Sequence, residues 1–265
     1  MNRYFDFRRF GNYLLYDLKN ACRGFGLSAL LLGLAPVILF VFGLLCEWIF
    51  SGSICEIPLA LRWMTVMFAF ALAYIIAPAK LYGPLTDKRY GADYLLLPAS
   101  QLEKWLSMII VLCIVLPLAM AAVTVSSDAL LSLCFGSIYS GTLFGAVDYS
   151  AVNDAFSQIG FSIPMLCFFQ WTCNVLIFAL GAVWFKRAKI LKTFVAIWLI
   201  GMVLSFLFFA AFGSDWIPVE KILEDVTVTE DSAIRFLRTC VNVFCGAMTL
   251  IPAALLYVRV RTIKH

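Results

Sequence analysis

Six predominantly apolar stretches, at residues 27–50, 60–79, 105–127, 163–185, 191–213 and 236–258, dominate this chain. Each is close to the roughly 20 residues that a helix needs to cross a bilayer. They also sort its charge. Sixteen of the 20 Lys and Arg residues fall on one side of the alternating spans, with only five acids beside them, which gives that side +11. The other side holds Arg62, Lys221, Arg235 and Arg238 against eleven acids, or −7, and the two sides recover the chain's +4. Lys and Arg collect in cytoplasmic loops, so this partition predicts an all-α, multi-pass integral membrane protein with both termini in the cytoplasm.

The same partition decides an ambiguous segment. Residues 129–147 are apolar enough to suggest a further crossing, but a crossing there would move the cluster Lys186, Arg187, Lys189 and Lys192 to the acidic side. Residues 128–162 therefore read as an outer-face loop carrying at most a shallow interfacial helix. At 63% hydrophobic residues the chain exceeds the roughly 45–50% of soluble domains, and no inter-span segment is long enough for a core of its own. The expected organisation is one transmembrane domain over 1–265. The first apolar run starts after 26 residues and lacks a small-residue cleavage site, which reads as a retained span.

Ahead of that span, residues 4–23 read as an amphipathic surface helix. Phe7, Phe10, Leu14 and Leu18 share a face, Arg9, Asn12, Lys19 and Arg23 lie around the rest, and Gly24 and Gly26 are expected to turn the chain into the membrane. Between spans two and three, Gly83-Pro84 breaks a helix, a short charged and aromatic turn follows, and Pro98 stops it. Ser100 with Glu103 then forms a capping box, in which hydroxyl and carboxylate satisfy the free N–H groups that open span three.

The segment Leu97-Pro98-Ala99-Ser100-Gln101-Leu102-Glu103-Lys104, placed after a basic, tyrosine-bearing turn at the start of the third of six spans, resembles the permease subunits of bacterial ATP-binding-cassette (ABC) exporters of the second type. The resemblance implies a surface helix before the first span. It also implies a coupling helix between spans two and three that docks on a separate ATPase chain, here through Tyr82, Leu85, Asp87, Lys88, Arg89 and Tyr90. It further implies short helices within 215–234, a partner permease that is a second copy or a paralogue, and residence in the bacterial inner membrane. The outer loop of 35 residues at 128–162 is longer than in the family's tighter examples.

No G-x-x-x-x-G-K-[ST] stretch is present, so ATP is expected to bind and be hydrolysed in the partner chain, leaving this one without catalytic or cofactor residues. Neither a G-x-S-x-G nor an H-E-x-x-H pattern occurs, so no catalytic machinery is visible; the only histidine is the terminal His265 and no His/Cys cluster has ligand spacing, so no metal site is expected, and the expected partners include no nucleic acid. Most cysteines lie within spans as small apolar fillers; Cys46 and Cys55 flank the first outer turn and either pair there or stay reduced. Gln170, Asn174 and Asn242 are the interior amides, read either as interhelical hydrogen-bonding groups or as a substrate path. Pro36, Pro117, Pro164 and Pro252 read as kinks. Two other classes remain open on the sequence: an ATP-independent carrier or channel, and a non-transporting scaffold or immunity-type protein.

Overall fold

The computed structural model describes residues 5–50, 57–86, 91, 96–136, 138–139, 141–145, 163–212 and 230–262. Those residues are helical almost throughout, with no strand among them. In chain order the helices are α1 (Phe7–Gly33), α2 (Ala35–Phe50), α3 (Leu59–Leu81), a 3₁₀ turn (Gly83–Thr86), α4 (Gln101–Ile110), a π-turn (Val111–Val115), α5 (Leu116–Cys134), α6 (Ile163–Trp184), α7 (Lys189–Phe212) and α8 (Glu230–Thr262). Five helical stretches are long and apolar enough to cross a membrane, and α1 with α2 makes a sixth if that bent pair counts as one span. Several long apolar helices of this kind are what an α-helical membrane protein requires.

The bend differs from the sequence expectation. Gly24 and Gly26 do not turn the chain; α1 runs through both and stops at Leu34, where the axis changes by 49°. The cause is Pro36, which offers no N–H to the Leu32 carbonyl and whose ring crowds it. The glycines stay helical within a helix that lies along α3, α4 and α5, where a Cβ on Gly24 would be in ordinary contact with Leu81 of α3 at 3.5 Å. The inward face of α1 is Tyr13, Asp17 and Phe25, whereas Phe7 is 84% exposed.

Span three is longer than expected at its far end. The helix does not stop at Ser127 but continues through Asp128 to Cys134, so the first part of the expected outer loop is helical. Residues 137 and 140, 146–162, and most of the expected short helices at 215–234 lie outside the described residues, as does Cys55; Glu230–Ile234 forms the start of α8.

Most of the buried core gathers where α3, α4, α6 and α8 approach the basic end. Ala73, Ala77, Ala179 and Ala182 let backbones approach closely, while Met108, Leu112, Met120, Trp171, Val175 and Leu256 fill the remaining space. Helix α6 is central, touching α3, α7, α8 and the π-turn, whereas α7 packs on α6 and α3 and is otherwise exposed along most of its length.

Within lipid every carbonyl needs a donor, and prolines remove donors. Here side chains replace two of them. The π-turn ends with the Leu116 N–H reaching back five residues to the Val111 carbonyl. Pro117 is next in that register and has nothing to give Leu112, whose carbonyl instead accepts the Trp171 indole N–H at 2.9 Å. Pro252 likewise frees the Met248 carbonyl, which accepts the Cys173 thiol at 3.6 Å. Trp105 adds a bond from its indole to the Ala253 carbonyl at 3.0 Å, tying α4 to α8. Trp171→Phe keeps most of the volume but strands the Leu112 carbonyl, so it is expected to cost about 1–3 kcal/mol, read as a lower Tm in detergent.

Candidate functional site: the charged hub at the basic end

Ser100 sits in extended backbone before α4, so its hydroxyl accepts the Glu103 N–H at 3.2 Å while Glu103 Oε2 accepts the Ser100 N–H at 2.8 Å. That is the capping box. Its acid is also the centre of a larger assembly. Glu103 Oε1 accepts the Asp6 backbone N–H at 2.9 Å, and the Arg9 guanidinium bridges both carboxylate oxygens at 2.7–3.1 Å. Asp6 in turn caps α1, accepting N–H groups from Arg8 and Arg9. The helix from Gln101 to Cys134 is about 51 Å long, well beyond the roughly 30 Å of hydrocarbon, and Glu103 lies in its first turn ahead of the membrane-spanning part. Burial alone would raise its carboxyl, but the Arg9 bonds and the Ser100 and Asp6 N–H groups outweigh that and hold it at about 2, below the ordinary 4.5.

Two more ties converge here. Asp17, buried on α1, accepts the Tyr82 hydroxyl at 2.9 Å and the Ser107 hydroxyl at 2.6 Å through one oxygen. Lys189, the first residue of α7, donates to the Gly83 carbonyl, and the turn that delivers it contains Ala188 at φ 50°. The loop between α3 and α4 is thus held at both ends, to α1 and α7 at Tyr82 and Gly83 and to α1 again at Ser100 and Glu103.

This geometry redistributes the residues expected to face a partner. Tyr82 is 4% exposed and Leu85 8%; both pack into the core, so they anchor the loop and present no surface. The reason for Tyr82 is Asp17, whose buried carboxylate needs hydroxyl donors. Asp87, Lys88, Arg89 and Tyr90 lie outside the described residues. Of the three amides, Gln170 and Asn242 are exposed on the surfaces of α6 and α8, and Asn174 is half-buried. Cys46 is a free thiol near the end of α2. Among the described residues no three His, Cys, Asp or Glu side chains converge on a point where a metal would sit.

At the other end of the helices is a buried ion pair that sequence reasoning missed. Arg62, 1% exposed in the first turn of α3, donates to Asp128 Oδ1 and to the Gly141 carbonyl, both at 3.0 Å. Asp128 also accepts the Tyr139 hydroxyl at 2.6 Å and the Leu143 N–H at 2.7 Å, and the guanidinium carbon lies 3.6 Å over the Tyr139 ring. Paired with Arg62 and accepting two further hydrogen bonds, the Asp128 charge is compensated at a position where an unpaired buried carboxylate would be costly. Its signal in the sequence was a single cation and a single acid at the ends of two apolar runs, each requiring a partner.

Two outcomes follow from these geometries. The folded Glu103 carboxyl is the depressed one, so its stabilisation is complete above about pH 4.5 and is lost as pH falls through about 2. The Tm gap between wild type and Glu103→Gln in detergent, about 5 °C near neutrality, should therefore narrow below pH 4.5 and close near pH 2. For the second pair, Arg62→Met strands a buried carboxylate and is expected to cost about 3–5 kcal/mol, whereas Arg62→Met with Asp128→Leu recovers most of the loss.

Comparison with known protein families, with curated proteins and with solved structures returns no match for this chain.

Proposed function

We propose that this chain is the permease subunit of an ATP-driven ABC export system, working beside a second copy or a paralogue and coupled to a separate ATPase chain that binds the ATP. One observation carries the reading: both ends of the loop between α3 and α4 are tied by charged and hydroxyl contacts to α1, α4 and α7. A push on residues 87–95 is delivered to three helices at once. Asp87, Lys88, Arg89 and Tyr90 supply charge and aromatic surface for the ATPase, while Tyr82 and Leu85 act as the roots of that handle. In this reading the basic end faces the cytoplasm of a bacterium and the chain resides in the inner membrane, following the Lys and Arg partition. The exposed Gln170 and Asn242 suit a path shared between two permease chains, since neither is enclosed within one.

A second reading, an ATP-independent carrier, is favoured by the buried Arg62–Asp128 pair, because carriers use enclosed ionisable groups. Purification in mild detergent with mass spectrometry of bound chains separates the two. The exporter reading expects an ATPase to co-purify. Reconstituted with it, Ser100→Ala with Glu103→Ala should leave ATP hydrolysis running while substrate moved per ATP falls several-fold, because α1 and span three no longer follow the loop together. Gradient-driven flux with no ATPase bound, or an unchanged ratio of flux to hydrolysis in the variant, would count against the exporter.

A further inference from the structure

A shallow, wide-open depression lies beside the turn between α6 and α7, lined by Ala79, Lys186, Ala188, Lys189, Ile190 and Leu191. Among the described residues its charge is one-sided. Lys186 lines it, Arg187 and Lys192 are exposed next to its lining residues in the chain, and Arg259 of α8 reaches the same turn, with Nε 3.4 Å from the Val183 carbonyl and the guanidinium over the Trp184 ring. The chain has no Asp or Glu between residues 155 and 214, nor after 231. The described acids at this end, Asp6, Asp17 and Glu103, are all engaged between α1 and its neighbours.

The depression is also continuous with apolar surface. Leu191 forms its lip, and Phe194, Val195, Trp198 and Met202 follow at helical spacing along α7, each about half exposed or more. Trp184, 53% exposed beside the cations, has the amphipathic ring that sits at headgroup level. A cationic depression leading into an exposed apolar stripe complements an amphiphile with an anionic head. A soluble phosphate compound or an acidic protein segment would meet the charges alone, without the adjoining apolar stripe.

We propose that this is a binding site for an anionic phospholipid. Its phosphate lies against Lys186 with Arg187 and Lys192 flanking, and an acyl chain runs along Leu191, Val195, Trp198 and Met202. Lys189 keeps its bond to the Gly83 carbonyl, so an occupied site sits next to the root of the loop after α3. The inference needs only that the helices lie in a membrane and does not rest on the transport reading.

The test uses purified full-length protein in neutral detergent. Phosphatidylglycerol, phosphatidylcholine of the same chain length and inorganic phosphate are titrated separately, with binding read by native mass spectrometry and by Tm. Phosphatidylglycerol is expected to bind at least about tenfold more tightly than phosphatidylcholine. Lys186→Gln with Arg187→Gln and Lys192→Gln should weaken it on the order of 100-fold and leave phosphatidylcholine unchanged. Lys19→Gln with Arg23→Gln, on the exposed side of α1, should keep the preference, as should the charge-preserving Lys186→Arg with Lys192→Arg. If the triple variant does not fold, Lys192→Gln alone should still weaken phosphatidylglycerol about fivefold. The proposal is overturned if wild type shows no preference, if the α1 pair abolishes it equally, or if the Lys→Arg variant loses it. Displacement of the lipid by inorganic phosphate at comparable concentration would also overturn it, because the site would then belong to a soluble anion.

Discussion

The carboxylate of Glu103 receives four donors, the N–H groups of Ser100 and Asp6 and two arms of Arg9, and the organisation of the basic end depends on that convergence. A fully enclosed carboxylate is tolerated only when its charge is met and its lone pairs are filled. The same atoms start span three and hold the beginning of α1 against it. Remove the acid and the N-cap residues of two helices, Asp6 and Ser100, lose the acceptor of their own N–H groups together. Asp17 repeats the arrangement deeper in the bundle, drawing the tip of α3 and the body of α4 onto α1 with two hydroxyls. The helices are therefore fastened to one another most firmly where they leave the apolar layer.

Local features were legible in the sequence because their partners are near in the chain. The partners of the Ser100–Glu103 box are three positions apart, and the Gly83-Pro84 break ends α3 within two residues of where it falls. What failed was anything decided by distant contact. Arg9 lies 94 positions from Glu103 and Arg62 lies 66 from Asp128, so neither pairing has a spacing to recognise. Gly24 and Gly26 carried the local signal of a turn, but α1, packed along α3, α4 and α5, runs through both, and Pro36 broke the chain ten residues later. Tyr82 and Leu85 had the composition of an exposed turn and were claimed by a buried aspartate and an apolar core instead. The apolar runs themselves were readable because lipid imposes length and composition directly, with no reference to neighbours.

Packing is uneven along the helices. The main core lies toward the basic end, and a smaller cluster of Phe40, Leu131 and Tyr139 supports the Arg62–Asp128 pair at the other. Between them α7 offers apolar side chains in nearly every direction, as a helix does when lipid is its chief neighbour.

The π-turn in span three gives the two buried acids their separate addresses. Glu103 and Asp128 are 25 positions apart, and at about 100° per residue an unbroken α-helix would bring them to nearly the same side of the rod. A π-turn absorbs one residue without adding its share of rotation, so everything beyond Val115 is turned back by about 100°. One acid can then face Arg9 on α1 while the other faces Arg62 on α3. Shortening residues 111–115 by one would leave a straighter and more regular helix with both acids on one side, so that only one of them could meet its arginine.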